Sequence, residues 1–250
     1  MTNNIWKGFK DFIVYDKVQE DEVVTSFYLK AADGTSLPKA IPGQFISVRI
    51  QKGDNEYSRA RQYTLSMDSK EEFYRISVKI EENGDLSKQL CRNIKVGDKI
   101  QATIPMGKFV LKDGNEPVVL IGGGIGITPM IAMAYAAKGT NRQVKLVYST
   151  ANSKYHSFKE ELNKLKNENN IELIQIYTRP LEENKINIDF DVEGRINKEW
   201  IANNLPMNGE FYFCGPIEFM RNIYKSLEEL GVEKSKINFE LFAAGEDITK

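Results

Sequence analysis

Histidine occurs once, as His156, and cysteine twice, as Cys91 and Cys214. Two thiols cannot fill the roughly four ligand positions of an iron–sulfur cluster or a structural zinc site. One imidazole excludes multi-histidine metal sites and argues against haem ligation by the chain itself. Any redox chemistry therefore belongs to an organic cofactor or to a partner. Long apolar runs are missing too. None approaches the roughly 20 residues of a membrane-spanning helix, and the opening residues, Met1 to Trp6, have no signal-peptide character. No membrane insertion is expected, and a cytoplasmic location is the default. Neither sign of charge is in excess: the formal net charge is −1, so no global field favours nucleic acid.

At 250 residues the chain has room for two domains. The first part reads as β throughout. Strand-like runs lie at 9–18, 22–30, 41–50, 60–67, 73–80 and 96–105, with turns between them, a polar loop at 51–56 and one short helix leading to Arg92. Such spacing predicts a compact six-stranded antiparallel barrel. Turn formers at 112–116, ahead of Pro117, mark a linker. Beyond it strands at 118–121, 144–149, 171–177, 210–213 and 237–242 alternate with helices at 128–138, 157–167, 197–203 and 217–230. This rhythm predicts a doubly wound parallel sheet. The domains are expected at 1–113 and 114–250.

The stretch 118–130 organises the second domain. Four apolar residues precede Gly122, Gly123, Gly124, Ile125 and Gly126, and Thr128 and Pro129 open an apolar helix. A strand turning on glycines into a helix start brings backbone N–H groups and the positive helix end toward an anion. Thr128 reads as the cap and Pro129 suits the first turn. The pattern points to a dinucleotide pyrophosphate cradle, although a full G-x-G-x-x-G fails at Ile127 or Pro129. A tight turn without a ligand is the plain alternative. Ser149 and Thr150 stand where a ribose-binding acid would end the second strand, and together with Lys154 they leave NADH against NADPH open.

Cys214, Gly215 and Pro216 form a second strand-to-helix turn at a strand's C-terminal end, where such sheets bind ligands. Taken alone, Cys214 is better read as an inert buried thiol. In the first domain Arg61 and Tyr63 alternate onto one strand face, a phosphate-binding guanidinium beside a stacking ring. Gly84, Asp85, Leu86 and Ser87 offer another helix start suited to phosphate. His156 reads as a surface histidine at a helix start. Spacing alone does not show whether Arg179 and Arg195 approach a nucleotide, and Met130, Met133 and Met220 are most simply core residues.

Taken together and in this order, these motifs resemble the ferredoxin–NADP reductase superfamily, and most closely the reductase portion of flavohaemoglobins. The likeness runs from Trp6 nearly to the end. Arg61, Gln62, Tyr63 and Thr64 are similar to its R-x-Y-[ST] flavin motif, and Gly84 to Ser87 to its G-x-x-[ST] pyrophosphate site. The resemblance implies an FAD-binding barrel, an NAD(P)-binding domain and hydride transfer from NADH or NADPH to the flavin. NADH is weakly favoured. It implies that Arg61 pairs with FAD phosphate, Tyr63 lies along the flavin and Thr64 reaches toward flavin N5. The backbone of Ser77, Val78 and Lys79 would flank the flavin or its adenine half. Gly123, Gly124, Ile125, Gly126, Thr128, Pro129, Cys214, Gly215 and Pro216 would seat the nicotinamide nucleotide. Glu240 and Phe242 would cover the flavin on the nicotinamide side, with Phe242 a possible gate.

Three departures bear on this. The chain starts where a globin would end, so flavohaemoglobin activity on nitric oxide and oxygen is not expected of it alone. Leu241, Phe242, Ala243 and Ala244 replace an ending with Gly-Pro. No cysteine cluster supplies an iron–sulfur domain. Electrons are therefore expected to leave to a separate redox-protein acceptor. An electron-transfer subunit active only in complex, a free-flavin reductase and a non-enzymatic dinucleotide sensor are the alternatives.

Overall fold

The computed structural model describes residues 5–168, 170–242 and 245–249. Two compact units divide the chain, Met1–Leu111 and Lys112–Lys250.

The first unit contains strands β1 (Lys10–Gln19), β2 (Val24–Ala31), β3 (Phe45–Arg49), β4 (Gln51–Gly53), β5 (Glu56–Tyr57), β6 (Arg61–Thr64), β7 (Tyr74–Lys79) and β8 (Lys99–Ala102), with helix α1 (Asp85–Asn93). Six strands form an antiparallel sheet in the order β6-β3-β8-β1-β2-β7. Leu65, just past β6, bridges Ile76 of β7, so the two ends of the sheet meet and close it into a barrel. The inward side chains alternate as β periodicity requires. Phe12, Val14, Phe27, Leu29, Ile46, Val48, Ile76, Val78 and Ile100 fill the interior, and Leu86 and Leu90 of α1 plug it.

The stretch 51–56, expected as a loop, is instead part of the β4–β5 hairpin, with Gln51 opposite Tyr57 and Gly53 opposite Glu56. Asn55 makes its turn at φ 60°, a left-handed conformation that Asn adopts more readily than most residues. The hairpin gave no signal because its residues are polar. It is held at its base, where the Arg49 guanidinium lies between the rings of Phe9 and Tyr57, 4.1 Å and 3.9 Å from their centres.

The second unit contains β9 (Val118–Gly123), α2 (Ile127–Ala137), β10 (Val144–Thr150), α3 (Lys159–Lys166), β11 (Ile171–Tyr177), β12 (Val192–Glu193), α4 (Lys198–Asn204), β13 (Glu210–Cys214), α5 (Ile217–Glu229) and β14 (Ile237–Phe239). All six strands are parallel, in the order β12-β11-β10-β9-β13-β14. The chain winds outward from β9 through β10, β11 and β12, then crosses back to β13 on the other side. The reversal puts the switch point at β9 and β13, and ligands of such sheets bind beyond the strand ends there. β9 is buried along its whole length, and α2 buries nine residues, including Met130 and Met133. β14 stops at Phe239, three residues short of the expected strand, because it pairs with β13 only as far as Phe213. No helix among the described residues is long and apolar enough to cross a membrane.

Candidate cofactor sites

In the first unit, β6 pairs with β3 so that Arg61 faces Val48 and Tyr63 faces Ile46. Tyr63 is half-buried against the barrel core, and that burial pushes its phenol well above the ordinary tyrosine value. Arg61 is exposed. Its guanidinium donates to the Ala60 carbonyl at 3.1 Å, and its charge is felt by the Asp85 carboxyl at the start of α1. The two expected phosphate-binding segments thus act on each other through charge. No side chain caps α1, whose N-cap is Gly84. A Cβ on Gly84 would lie 2.3 Å from Ser87 Oγ and 3.0 Å from Glu81 Cβ, so a larger residue would displace the Ser87 hydroxyl. Ser87 is busy within the loop: its Oγ accepts from the Glu81 N–H at 3.2 Å and donates to the Gly84 carbonyl at 3.5 Å. Val78 turns its side chain into the barrel, Ser77 is buried on the other face of β7 with its Oγ 2.8 Å from those of Ser26 and Ser66, and Lys79 is exposed and pairs with Glu81 at 3.4 Å. Thr64 is buried at the end of β6.

In the second unit, β9 runs through Gly123 into a 3-10 turn at Gly124–Gly126 and then α2. The cap of α2 is Gly126, not Thr128. The Thr128 hydroxyl donates back to the Ile125 carbonyl at 2.9 Å, because the inserted turn already places it inside the helix. A Cβ on Gly126 would meet the Cys214 carbonyl oxygen at 2.2 Å and Gly215 N at 2.6 Å. On Gly123 and Gly215 it would meet the Phe219 ring, at 2.8 Å in each case. The two turns therefore pack backbone against backbone, with Phe219 wedged beside them, a residue the motifs did not point to. Gly124 differs. Its φ is +51°, and nothing lies within 4 Å of where its Cβ would be. That face is open, with no side chain capping the turn or the helix, as an anion cradle requires.

Cys214 is fully buried. Burial first, and then the charge of Glu240, hold its thiol well above its ordinary value of 9.0. It is a neutral thiol, suited to positioning and not to attack. Glu240 follows β14, beside the end of β13, and burial raises its carboxyl to about 7. Phe242 is 50% exposed. Ala243 and Ala244 lie outside the described residues. Among the described residues no group of three or more His, Cys, Asp or Glu side chains is placed to hold a metal.

Residues 12–111 match the oxidoreductase FAD-binding domain family and residues 120–225 the oxidoreductase NAD-binding domain family. The flavohemoprotein of Bacillus cereus is 41% identical over 247 residues, which cover 95% of this chain and 61% of that protein. The flavohem-like FAD/NAD binding domain of nitric oxide dioxygenase from Vibrio cholerae is 34% identical with a TM-score of 0.82, over 93% of this chain and 98% of that one. This chain belongs to the FAD- and NAD-binding reductase domains of the flavohaemoglobin family. Like them it is an NAD(P)H-dependent flavoprotein reductase. Flavohemoglobin from Malassezia yamatoensis, with bound FAD and heme, is 27% identical with a TM-score of 0.82, over 96% of this chain and 61% of that one. The reductase chain thus spans about three-fifths of the length of its full-length relatives.

A further expectation is overturned at His156. His156 is not on the surface but 3% exposed. Its ring sits among Tyr148 and Tyr177, with Nδ1 2.7 Å from the Tyr177 hydroxyl and Nε2 buried without a partner among the described residues. Burial, then the Lys159 charge, lowers it from 6.5 to about 4, against an opposing pull from Asp189. The parallel strands bring these tyrosines over a histidine that the sequence places next to a charged helix. Since the fold disfavours the imidazolium, this contribution to stability is complete above about pH 6.5 and is lost as the pH falls toward 4. The total loss is on the order of 3 kcal/mol. Denaturant titrations from pH 8 to 4 should show this step in the wild type and not in His156→Gln.

Proposed function

We propose that the reductase seats its nicotinamide nucleotide on the glycine turns at 122–126 and 214–216 and its FAD on β6 and the start of α1. Electrons then pass to a redox acceptor, of which a haem is the best supported. The observation that carries this reading is the contact of Gly126 with Cys214 and Gly215, too close for any Cβ, at the sheet's switch point. The Malassezia relative, with its FAD and heme, supports the acceptor. When bound, the two cofactors supply hydride transfer from nicotinamide C4 to flavin N5. The protein contributes binding and orientation. Arg61 neutralises FAD phosphate, Tyr63 packs along the flavin, Thr64 offers a hydroxyl to the ring edge, and the backbone of Ser77 to Lys79 flanks it. Gly124, Ile125 and Gly126 receive the nucleotide pyrophosphate. Thr128, Cys214, Glu240 and Phe242 are assigned to the nicotinamide side.

Donor choice turns on the loop after β10. The Thr150 hydroxyl is committed to the Tyr155 carbonyl at 2.7 Å. Arg179 is held beside that loop, with its N–H donating to the Ala151 carbonyl at 2.9 Å and its carbonyl accepting from Asn152 at 3.2 Å. Anaerobic stopped-flow reduction with NADH and NADPH in parallel tests the reading. Bleaching of the flavin band is expected, with FAD retained through desalting. Nucleotide binding without bleaching would identify a sensor, and FAD loss on desalting a free-flavin reductase. In the same assay Cys214→Ala should slow reduction about fivefold, as a positioning contact worth about 1 kcal/mol implies, with FAD content unchanged. Reduction at the wild-type rate would make Cys214 purely structural.

A further inference from the structure

Resting on the FAD reading above, we propose that Lys52 is a positioning residue for FAD: it neutralises Asp85 so that the start of α1 accepts a pyrophosphate. The site has a conflict built into it. Asp85 is the first residue of α1, where a carboxylate favours the bare helix but repels an incoming phosphate. Hydrogen bonds from Lys52 and then Gln89 hold its carboxyl below the usual carboxylate range, so it is ionised whenever a phosphate is.

The β4–β5 hairpin resolves the conflict. Lys52 reaches across from β4 and places Nζ 2.8 Å from Asp85 Oδ2, while Gln89 donates to Oδ1 at 2.5 Å. The charge of Arg61 on β6 also favours the ionised form of this carboxyl, without forming an ion pair with it. Lys52 offsets the carboxylate's charge at contact distance, and the field of Arg61 adds to it. The pair does little for the fold itself. Both side chains reach solvent, 34% and 65% exposed, and solvent-accessible ion pairs contribute little to stability. Gln51, Lys52 and Gly53 are all exposed, so no core depends on this arm. Its base is anchored independently by Arg49, whose Nε also donates to Gln101 at 2.9 Å. A polar hairpin carrying one lysine to the one carboxylate on α1's first turn is explained by an anion arriving there.

The test is a double-mutant cycle on FAD-stripped protein, titrated with FAD at low salt and followed by quenching of flavin fluorescence. Lys52→Ala should weaken FAD about 10-fold, with an unchanged melting temperature and a smaller effect at high salt. Lys52→Arg should bind as the wild type does. Lys52→Ala combined with Asp85→Asn should return to within about threefold of wild type, because the repulsion is gone. If the double variant stays as weak as Lys52→Ala, or if Lys52→Ala binds like wild type, the proposal is overturned. A wild-type protein that takes up no FAD would overturn the FAD reading itself, before any variant is compared.

Discussion

Gly126→Ala is expected to cost the second unit more than 3 kcal/mol, roughly a 10 °C fall in melting temperature, and to abolish nicotinamide nucleotide binding. The backbone angles there suit any residue, φ −64° and ψ −4°, so the cost is purely one of space. An added Cβ would stand 2.2 Å from the Cys214 oxygen, 2.4 Å from its carbonyl carbon and 2.6 Å from Gly215 N. All three are backbone atoms of a paired strand end and its turn, and none can swing aside as a side chain would. Relief requires β9 and β13 to part where Cys214 pairs with Gly122. Gly124→Ala is the matched control. Its left-handed φ of +51° carries strain of about 1 kcal/mol for alanine, but nothing within 4 Å obstructs the methyl. That variant should fold, melt a few degrees lower and still lose nucleotide affinity, since the methyl enters the open face of the cradle. Thermal melts and NADH titrations of both variants separate the two effects. A Gly126→Ala protein melting within about 2 °C of wild type would mean that the two turns do not pack this closely in solution.

How much of this was legible in the sequence follows from how local each cause is. The barrel strands were legible because alternation along one strand is enough to define a buried face, as at Phe12 and Val14. The glycine turns were legible because the conformations they permit belong to the residues themselves. Thr128 was misjudged as the cap because a 3-10 turn at Gly124–Gly126 shifts the helix start by less than a turn, and residue type does not encode that shift. His156 was misjudged because its burial comes from tyrosines on two neighbouring strands, β10 and β11. The ion pair of Lys52 and Asp85 joins residues 33 apart in the chain, across a hairpin too polar to read as strand. Arg61 could be singled out from its motif, but its effect on Asp85 becomes visible only once the barrel closes.

Arg61→Ala is the second change with a large expected effect: FAD affinity should fall about 10–100-fold while the apoprotein keeps its stability. Arg61 is exposed on β6, forms no ion pair among the described residues and donates only to its neighbour's carbonyl. Removing it therefore leaves no buried group unsatisfied, and the melting temperature of apoprotein should not move. What is lost is a charge-assisted hydrogen bond to phosphate, worth about 1.5–3 kcal/mol, which is the stated range in affinity. Arg61→Lys should recover only part of the loss, because an ammonium keeps the charge but not the two parallel N–H donors. The same substitution also tests the link to α1. Without Arg61, Asp85 retains Lys52 alone, so the helix start loses part of its positive field and the salt dependence of FAD binding should flatten. FAD affinity unchanged in Arg61→Ala, measured by the same fluorescence titration, would remove Arg61 from the flavin site and leave its exposed place on β6 without a function.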